Sequence, residues 1–339
     1  MKTNINILAI ESSCDETSMA VVRNGREVIS LVISTQIDIH KLYGGVVPEI
    51  ASRNHVLALN GVFTETLKKA NMTMDDIDAI AVTYGAGLMG ALIVGVNFAK
   101  GLAFSYKKPL VKVNHIEGHI AANYISHPDL EPPFACLIVS GGHTALVKMD
   151  DYTTRILYGT TMDDAVGECF DKVARELGLE YPGGPNVQRC AESGQANIKF
   201  ITKPHEKHKD YNFSYSGLKT AVINYLHNKR QKGEEINISD VCASFQKEAV
   251  DQLVDKSVYL LKTENLKKIV LSGGVSANKA LRERMKKEMQ SIGAMVYYPD
   301  LILCTDNAAM IGSAAYYSFV AGKNIVDPVE LQAECQISL

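Results

Sequence analysis

The chain has 339 residues, 46% of them apolar and 22% charged, the balance of a folded globular protein with room for two domains or two halves of one. A net charge of −3 speaks against a stand-alone nucleic-acid binder, which is usually basic, so any nucleic acid is held through a local patch and with help from partners. The seven cysteines are odd in number and form no CxxC pair, which excludes a disulfide framework and a cysteine zinc site as organising features.

The N-terminus, Met1 to Ile5, lacks the apolar core and cleavage site of a secretory signal. No uninterrupted apolar run reaches the roughly 18 residues of a membrane span, and a cytoplasmic protein without a membrane is expected. Ile5 to Ile10 reads as a buried strand, Glu11 to Thr17 as a polar turn rich in hydroxyls and acids, and Ser18 to Val22 as a second strand before the hairpin signal Asn24-Gly25. Arg53 to Ala70 has helical spacing in Val56, Leu59, Val62, Phe63 and Leu67. It is read as a core helix, with a partner seam as the alternative.

Ile77 to Val82 is a strand, Gly85 to Gly90 opens a helix over Ala91 to Phe104, and Leu110 to Val113 is a strand running into His115. Phe134 to Val139, the turn Ser140 to His143 and Thr144 to Lys148 repeat the opening strand–turn–strand pattern, which suggests a duplication at domain scale. Residues 160–235 read as helices and loops, with Lys203 to Lys209 a solvated charged face. Ile269 to Leu271 is a late strand, Lys279 to Gln290 an amphipathic helix, and Asp306 or Thr305 caps a last, small-residue helix. Strand and helix alternate, so the fold class is α/β with a largely parallel sheet.

His115 and His119 carry the sharpest local signal. On a helix they project about 40° apart and can share a metal. Glu117 sits about 200° from His115, on the far face, which does not suit a metalloprotease base. H-x-x-x-H alone is a weak signal, and a carboxylate near the start of the last helix, Asp306, would strengthen it. Two histidines and a carboxylate suit one divalent ion, Fe(II) before Zn(II). The plain alternative for Asp306 is a helix cap.

Three turns at strand ends could face phosphate: Ser13 to Thr17, Ser140-Gly141-Gly142 and Ser272-Gly273-Gly274. None is a Walker motif. The Tyr181-Pro182-Gly183-Gly184-Pro185 stretch and the segment around Asp171 complete the set.

Motifs along nearly the whole chain carry a resemblance. They are Ile10 to Thr17 (IESSCDET), Gly44 to His55 (GGVVPEIASRNH), Asn114 to Ala121 (NHIEGHIA), Val139 to Thr144 (VSGGHT), Asp163 to Arg175 (DDAVGECFDKVAR), Phe213 to Val222 (FSYSGLKTAV), Ser272 to Asn278 (SGGVSAN) and Thr305 to Met310. The chain resembles the bacterial TsaD family, once called glycoprotein endopeptidases, the catalytic subunit that installs N6-threonylcarbamoyladenosine in tRNA. The resemblance implies an actin/sugar-kinase/heat-shock-protein-like (ASKHA) ATPase fold of two related halves with an interdomain cleft. The halves would be 1–133 with 306–339, and 134–305 with a helical insertion around 160–235.

It implies a metal on His115, His119 and Asp306. It implies threonylcarbamoyl-AMP on Ile138, Val139, Ser140, Gly141, Gly142, Asp171, Gly184 and Asn278, and the acids Asp15 and Glu16 at the reacting centre. The implied reaction moves the threonylcarbamoyl group to the N6 amine of the adenosine next to the anticodon in tRNAs that read A-starting codons. The implied partners are a TsaB-like paralogue and a TsaE-like P-loop ATPase.

The chain departs from the family pattern at Ala86, where proline is usual, and at Gln188, where an aspartate usually meets the ligand. The amide of Gln188 can still hydrogen-bond a hydroxyl, as a neutral group. The alternatives are a metallopeptidase, and a small-molecule kinase or nucleotide-binding scaffold of the same fold.

Overall fold

A computed structural model describes residues 4–201 and 210–336. The charged stretch Lys203 to Lys209 lies outside the described residues. In chain order the first elements are β1 (Asn6–Glu11), β2 (Glu16–Arg23), β3 (Glu27–Thr35), α1 (Ile37–Lys41), α2 (Pro48–Ala70), β4 (Ala79–Gly85), α3 (Met89–Tyr106), β5 (Leu110–Asn114) and α4 (His115–Ser126). Next come β6 (Phe134–Val139), β7 (Thr144–Met149), β8 (Arg155–Thr160), α5 (Val166–Glu176), α6 (Gly183–Ala191), α7 (Ser216–Gln231), α8 (Ile238–Thr263), β9 (Lys268–Ser272), α9 (Lys279–Ser291) and β10 (Met295–Tyr297). The last are α10 (Leu301–Cys304), α11 (Ala308–Val320) and β11 (Ile325–Val326).

Two compact units result, Met1–Glu131 with Pro299–Leu339, and Pro132–Tyr298. The first holds a sheet in the order β11-β5-β4-β1-β2-β3, and the second a sheet in the order β10-β9-β6-β7-β8. In each sheet the opening strand pairs antiparallel with the next and parallel with a later one: β1 with β2 and β4, β6 with β7 and β9. Apart from the edge strand β11, the two strand orders are the same, which is the topological counterpart of the repeated strand–turn–strand pattern.

β1 shows why the first unit has two apolar layers. Ile7 and Ala9 face one side and pack with Ala308, Ile311 and Ala315 of α11. Leu8 and Ile10 face the other and pack with Leu59 and Val62 of α2 and Val96 and Ala99 of α3. The alternation is the period-2 pleat. In the second unit Ala135, Leu137 and Val139 of β6 join a core built with α5, α7 and α8.

Two local differences from the sequence reading bear on function. The first turn is shorter than expected, because Glu16 and Thr17 pair with Thr35 and Ser34 and so belong to β2. α3 is the one described helix long and apolar enough, by length and composition alone, to cross a membrane. Its Ala91, Leu92, Val96 and Ala99 are buried in the first unit.

Candidate active site

The two histidines are placed by a strand end. β5 stops at Asn114, whose side chain accepts the N–H of Ile116 at 2.9 Å and so caps α4. His115 is thereby the first residue of the helix, and His119 lies one turn on. Both are buried, with ring centroids 4.5 Å apart.

The carboxylate comes from the start of α11. Here the cap is Asn307, whose side chain accepts the N–H of Met310 at 3.1 Å, and not Asp306 or Thr305 as the sequence suggested. The shift by one residue leaves Asp306 to face the histidines. Its Oδ1 lies 3.4 Å from His115 Nε2 and 3.3 Å from His119 Nε2. α4 and α11 come together at Gly118, where a Cβ would stand 2.6 Å from Ile311 Cδ1 and 3.1 Å from Met310 Cγ.

Burial and charge set the protonation of the cluster. Burial pushes His119 below its ordinary value, and the neighbouring His115 adds to this. Burial also opposes charge on His115, but Asp306 and Glu11 outweigh it and hold the ring well above its usual range. Asp306 is held far below the usual carboxylate range, against burial, by His115 and His119. Burial, then Asp15 and Asp306, push Glu16 up to about 9. Asp15 is buried, its backbone carbonyl accepts the N–H of Gln36, and Glu16 accepts the hydroxyl of Thr35 at 3.1 Å.

These atoms fit a divalent cation. One ligand atom each from His115, His119 and Asp306 lies within 4.8 Å of the others. Neither nitrogen of His119 has a hydrogen-bond partner, although the residue is 1% exposed. A buried, unsatisfied ring aimed at a carboxylate is costly unless a cation accepts its lone pair. Glu117 follows His115 by two residues on α4 and so points about 200° away, off the side a peptidase base would need.

In the second unit the turn after β6 is closed by Ser140, whose N–H donates to the His143 carbonyl at 2.8 Å and whose hydroxyl accepts the His143 N–H at 3.1 Å. Gly141 and Gly142 are both exposed, while the side chains of Ile138 and Val139 are fully buried in the strand. Gly167 must lack a side chain, because a Cβ would stand 2.5 Å from the Ser140 carbonyl oxygen.

Asp171 accepts the N–H of Gly183 at 2.7 Å and anchors the start of α6, beside Gly184. Asn278 caps α9 through the N–H of Leu281 at 3.0 Å and donates to Gln246 at 2.9 Å. Gln188 accepts the N–H of Lys279 at 2.8 Å, which ties α6 to the same end of α9. The structure therefore brings Gln188 and Asn278 to one helix start, and Asp171 and Gly184 to another. His115, His119, Asp306, Asp15 and Glu16 all belong to the first unit.

The family model described as tRNA N6-adenosine threonylcarbamoyltransferase, TsaD, matches residues 27–313. The chain belongs to the TsaD family. A Clostridium perfringens (strain SM101 / Type A) tRNA N6-adenosine threonylcarbamoyltransferase is 55% identical over 333 residues, covering 98% of each chain. The enzyme of that name from Clostridium botulinum (strain 657 / Type Ba4) is 56% identical over 325 residues, covering 95% of each. Among solved structures, HypF from T. kodakarensis is similar in fold, with a TM-score of 0.65 at 13% identity, over 94% of this chain and 48% of that one. The ASKHA class expected from the sequence agrees with that likeness and with the repeated sheet order.

Within this TsaD-family chain, sequence reasoning missed three groups of supporting residues. Glu11 and Ser13 face His115 and Thr83 holds Glu11, Gln246 holds Asn278, and Asp163 accepts N–H and hydroxyl groups from Ser214, Tyr215 and Ser216. The signal for Glu11 was present: a carboxylate directly continues the apolar strand Ile7 to Ile10, a place where a charge needs partners.

Proposed function

We propose that this chain, a threonylcarbamoyltransferase by family, transfers the threonylcarbamoyl group of threonylcarbamoyl-AMP to the N6 amine of the adenosine next to the anticodon. It does so in the cytoplasm, with one divalent ion, Fe(II) ahead of Zn(II), on His115, His119 and Asp306. The observation that carries the metal assignment is the buried His119 ring without a hydrogen-bond partner, 3.3 Å from Asp306. A bound divalent ion supplies Lewis-acid stabilisation of negative oxygen atoms.

The chain's own residues do the rest. The N6 nitrogen attacks the carbamoyl carbon, the new C–N bond forms, the C–O bond to phosphate breaks, and AMP leaves with the electron pair. The amine loses one proton. Asp15 is the acceptor assigned to it, and burial with its neighbouring acids pushes Glu16 up, which disfavours Glu16 in that role. An aromatic amine is a weak nucleophile, so orientation by Asp15 contributes more than its basicity.

Gly141 and Gly142 allow close approach of phosphate to the backbone of the turn. Asp171 fixes Gly184 at the start of α6, and Gln188 and Asn278 present their amides at the start of α9. A TsaB-like paralogue and a TsaE-like ATPase share the tRNA with this weakly acidic chain, consistent with its charge of −3. The exposed Val56 and Leu57 on α2 support the partner seam considered for that helix.

The test is a reconstituted transfer assay with cognate partners, threonylcarbamoyl-AMP and unmodified tRNA, read by mass spectrometry of the nucleosides. Wild type gives product and His115→Ala gives none. An active His115→Ala enzyme removes the metal centre from the mechanism. An inactive wild type, with partners active beside another family member, removes the transfer itself.

A further inference from the structure

His115 and His119 occupy the same metal face of α4 but are supported differently. His119 Nδ1 has no hydrogen-bond partner. His115 Nδ1 lies 3.3 Å from Glu11 Oε2 and 3.1 Å from Ser13 Oγ. Glu11 is the last residue of β1 and is fully buried. Its other oxygen accepts the N–H of Ser13 at 2.6 Å, and the hydroxyl of Thr83 donates to Oε2. A buried carboxylate that receives donors on both oxygens stays ionised and immobile. An ionised carboxylate only accepts, so the proton of a neutral His115 ring belongs on Nδ1, and the lone pair belongs on Nε2, the atom 3.4 Å from Asp306.

The turn that carries Ser13 is itself held. Ser13 accepts the Leu88 N–H through its carbonyl at 2.8 Å, and Ser12 donates to the Ala91 carbonyl at 3.0 Å. Gly95 leaves room for Ser12, since a Cβ there would stand 2.3 Å from its hydroxyl oxygen. The strand end, the turn and the start of α3 thus brace the carboxylate that faces His115.

We infer that Glu11 is a positioning residue of the metal centre: it fixes the tautomer and orientation of His115 so that Nε2 faces the ion. This rests on the metal centre proposed above and adds to it a role for a residue outside the ligand set. Outer carboxylates of this kind typically set metal affinity by about tenfold to hundredfold. Glutamine has the shape of Glu11, but its amide nitrogen cannot accept from the donors gathered there. Glu11→Gln therefore lowers affinity while keeping the packing.

The test measures Zn(II) affinity by competition with a chromophoric chelator, on the full chain, for wild type, Glu11→Gln, Glu11→Asp and Ser12→Ala. Ser12→Ala damages the same brace without touching His115. Wild type binds one ion. Glu11→Gln binds it about tenfold to hundredfold more weakly. Glu11→Asp recovers part of that loss, and Ser12→Ala, which loosens the brace but leaves the Glu11 carboxylate facing His115, loses less than Glu11→Gln. A two-bond ¹H–¹⁵N imidazole spectrum of the Zn(II)-loaded protein shows His115 with its proton on Nδ1 in wild type and a mixture in Glu11→Gln. Equal affinities of Glu11→Gln and wild type, or an unchanged tautomer, overturn the role of Glu11. A wild type that binds no ion overturns the metal centre itself, and the role with it.

Discussion

His55 lies on α2 behind the first turn, and its ring spans two groups of fixed polarity. The carbonyl of Cys14, 3.0 Å from Nε2, can only accept, so Nε2 carries the proton. Nδ1 then accepts from the hydroxyl of Thr17 at 2.7 Å. Burial lowers the pKa of this ring below its ordinary value of 6.5, so the folded chain binds this proton less readily than the unfolded chain. The stabilisation is complete above about 6.5, the unfolded value, and falls away as the pH drops through and below it. Between pH 7.5 and 5.5 the urea midpoint of wild type is expected to drop relative to that of His55→Gln, because only wild type carries the His55 contribution. Equal slopes would assign the pH dependence to other groups. The residue scale is also where the sequence was least legible. Asp306 and Asn307 are both good cap residues, and only the hydrogen bond to Met310 decides that Asn307 takes the cap.

α4 and the start of α11 position the residues of the proposed metal centre, and each helix is short. They are held at a fixed separation by Gly118, whose missing side chain leaves space for Ile311 and Met310. Gly118→Val inserts three carbons into that contact, at a cost of about 1–3 kcal/mol. It also moves Asp306 from His115 and His119. The expected result is a folded protein with a lower melting temperature and weaker Zn(II) binding than wild type. Unchanged zinc affinity would show that the helices adjust by side-chain movement alone.

The helices were readable from apolar spacing, and NHIEGHIA places both histidines on one helix face. Asp306, the proposed third ligand, lies far along the chain, just before the cap of α11. Its distance to the histidines depends on how α11 packs on the sheet, which periodicity does not report.

The two units differ in how the chain builds them. The second is one continuous segment, Pro132–Tyr298, with its own core from Ala135 to Met289. The first is closed by the C-terminal segment, because α11 covers the face of the sheet formed by Ala9, Ala20, Val22, Ala81 and Val113. Residues 132–298 expressed alone are therefore expected to unfold cooperatively on heating. Residues 1–131 alone are expected to show no cooperative transition and no zinc binding, since they lack both that cover and Asp306. A cooperative transition in the isolated 1–131 segment would show that the β1–β5 sheet is stable without α11.

By itself the sequence determined the α/β class, the repeated strand–turn–strand pattern, the two histidines on one helix and the family, because each of these is written in local spacing or in contiguous motifs. Tertiary structure decided which polar residue caps α11, which oxygen meets the histidines, and that Glu11 stands behind His115. Those are distances between segments remote in the chain, and they are set by the packing of α4 and α11 against the sheet.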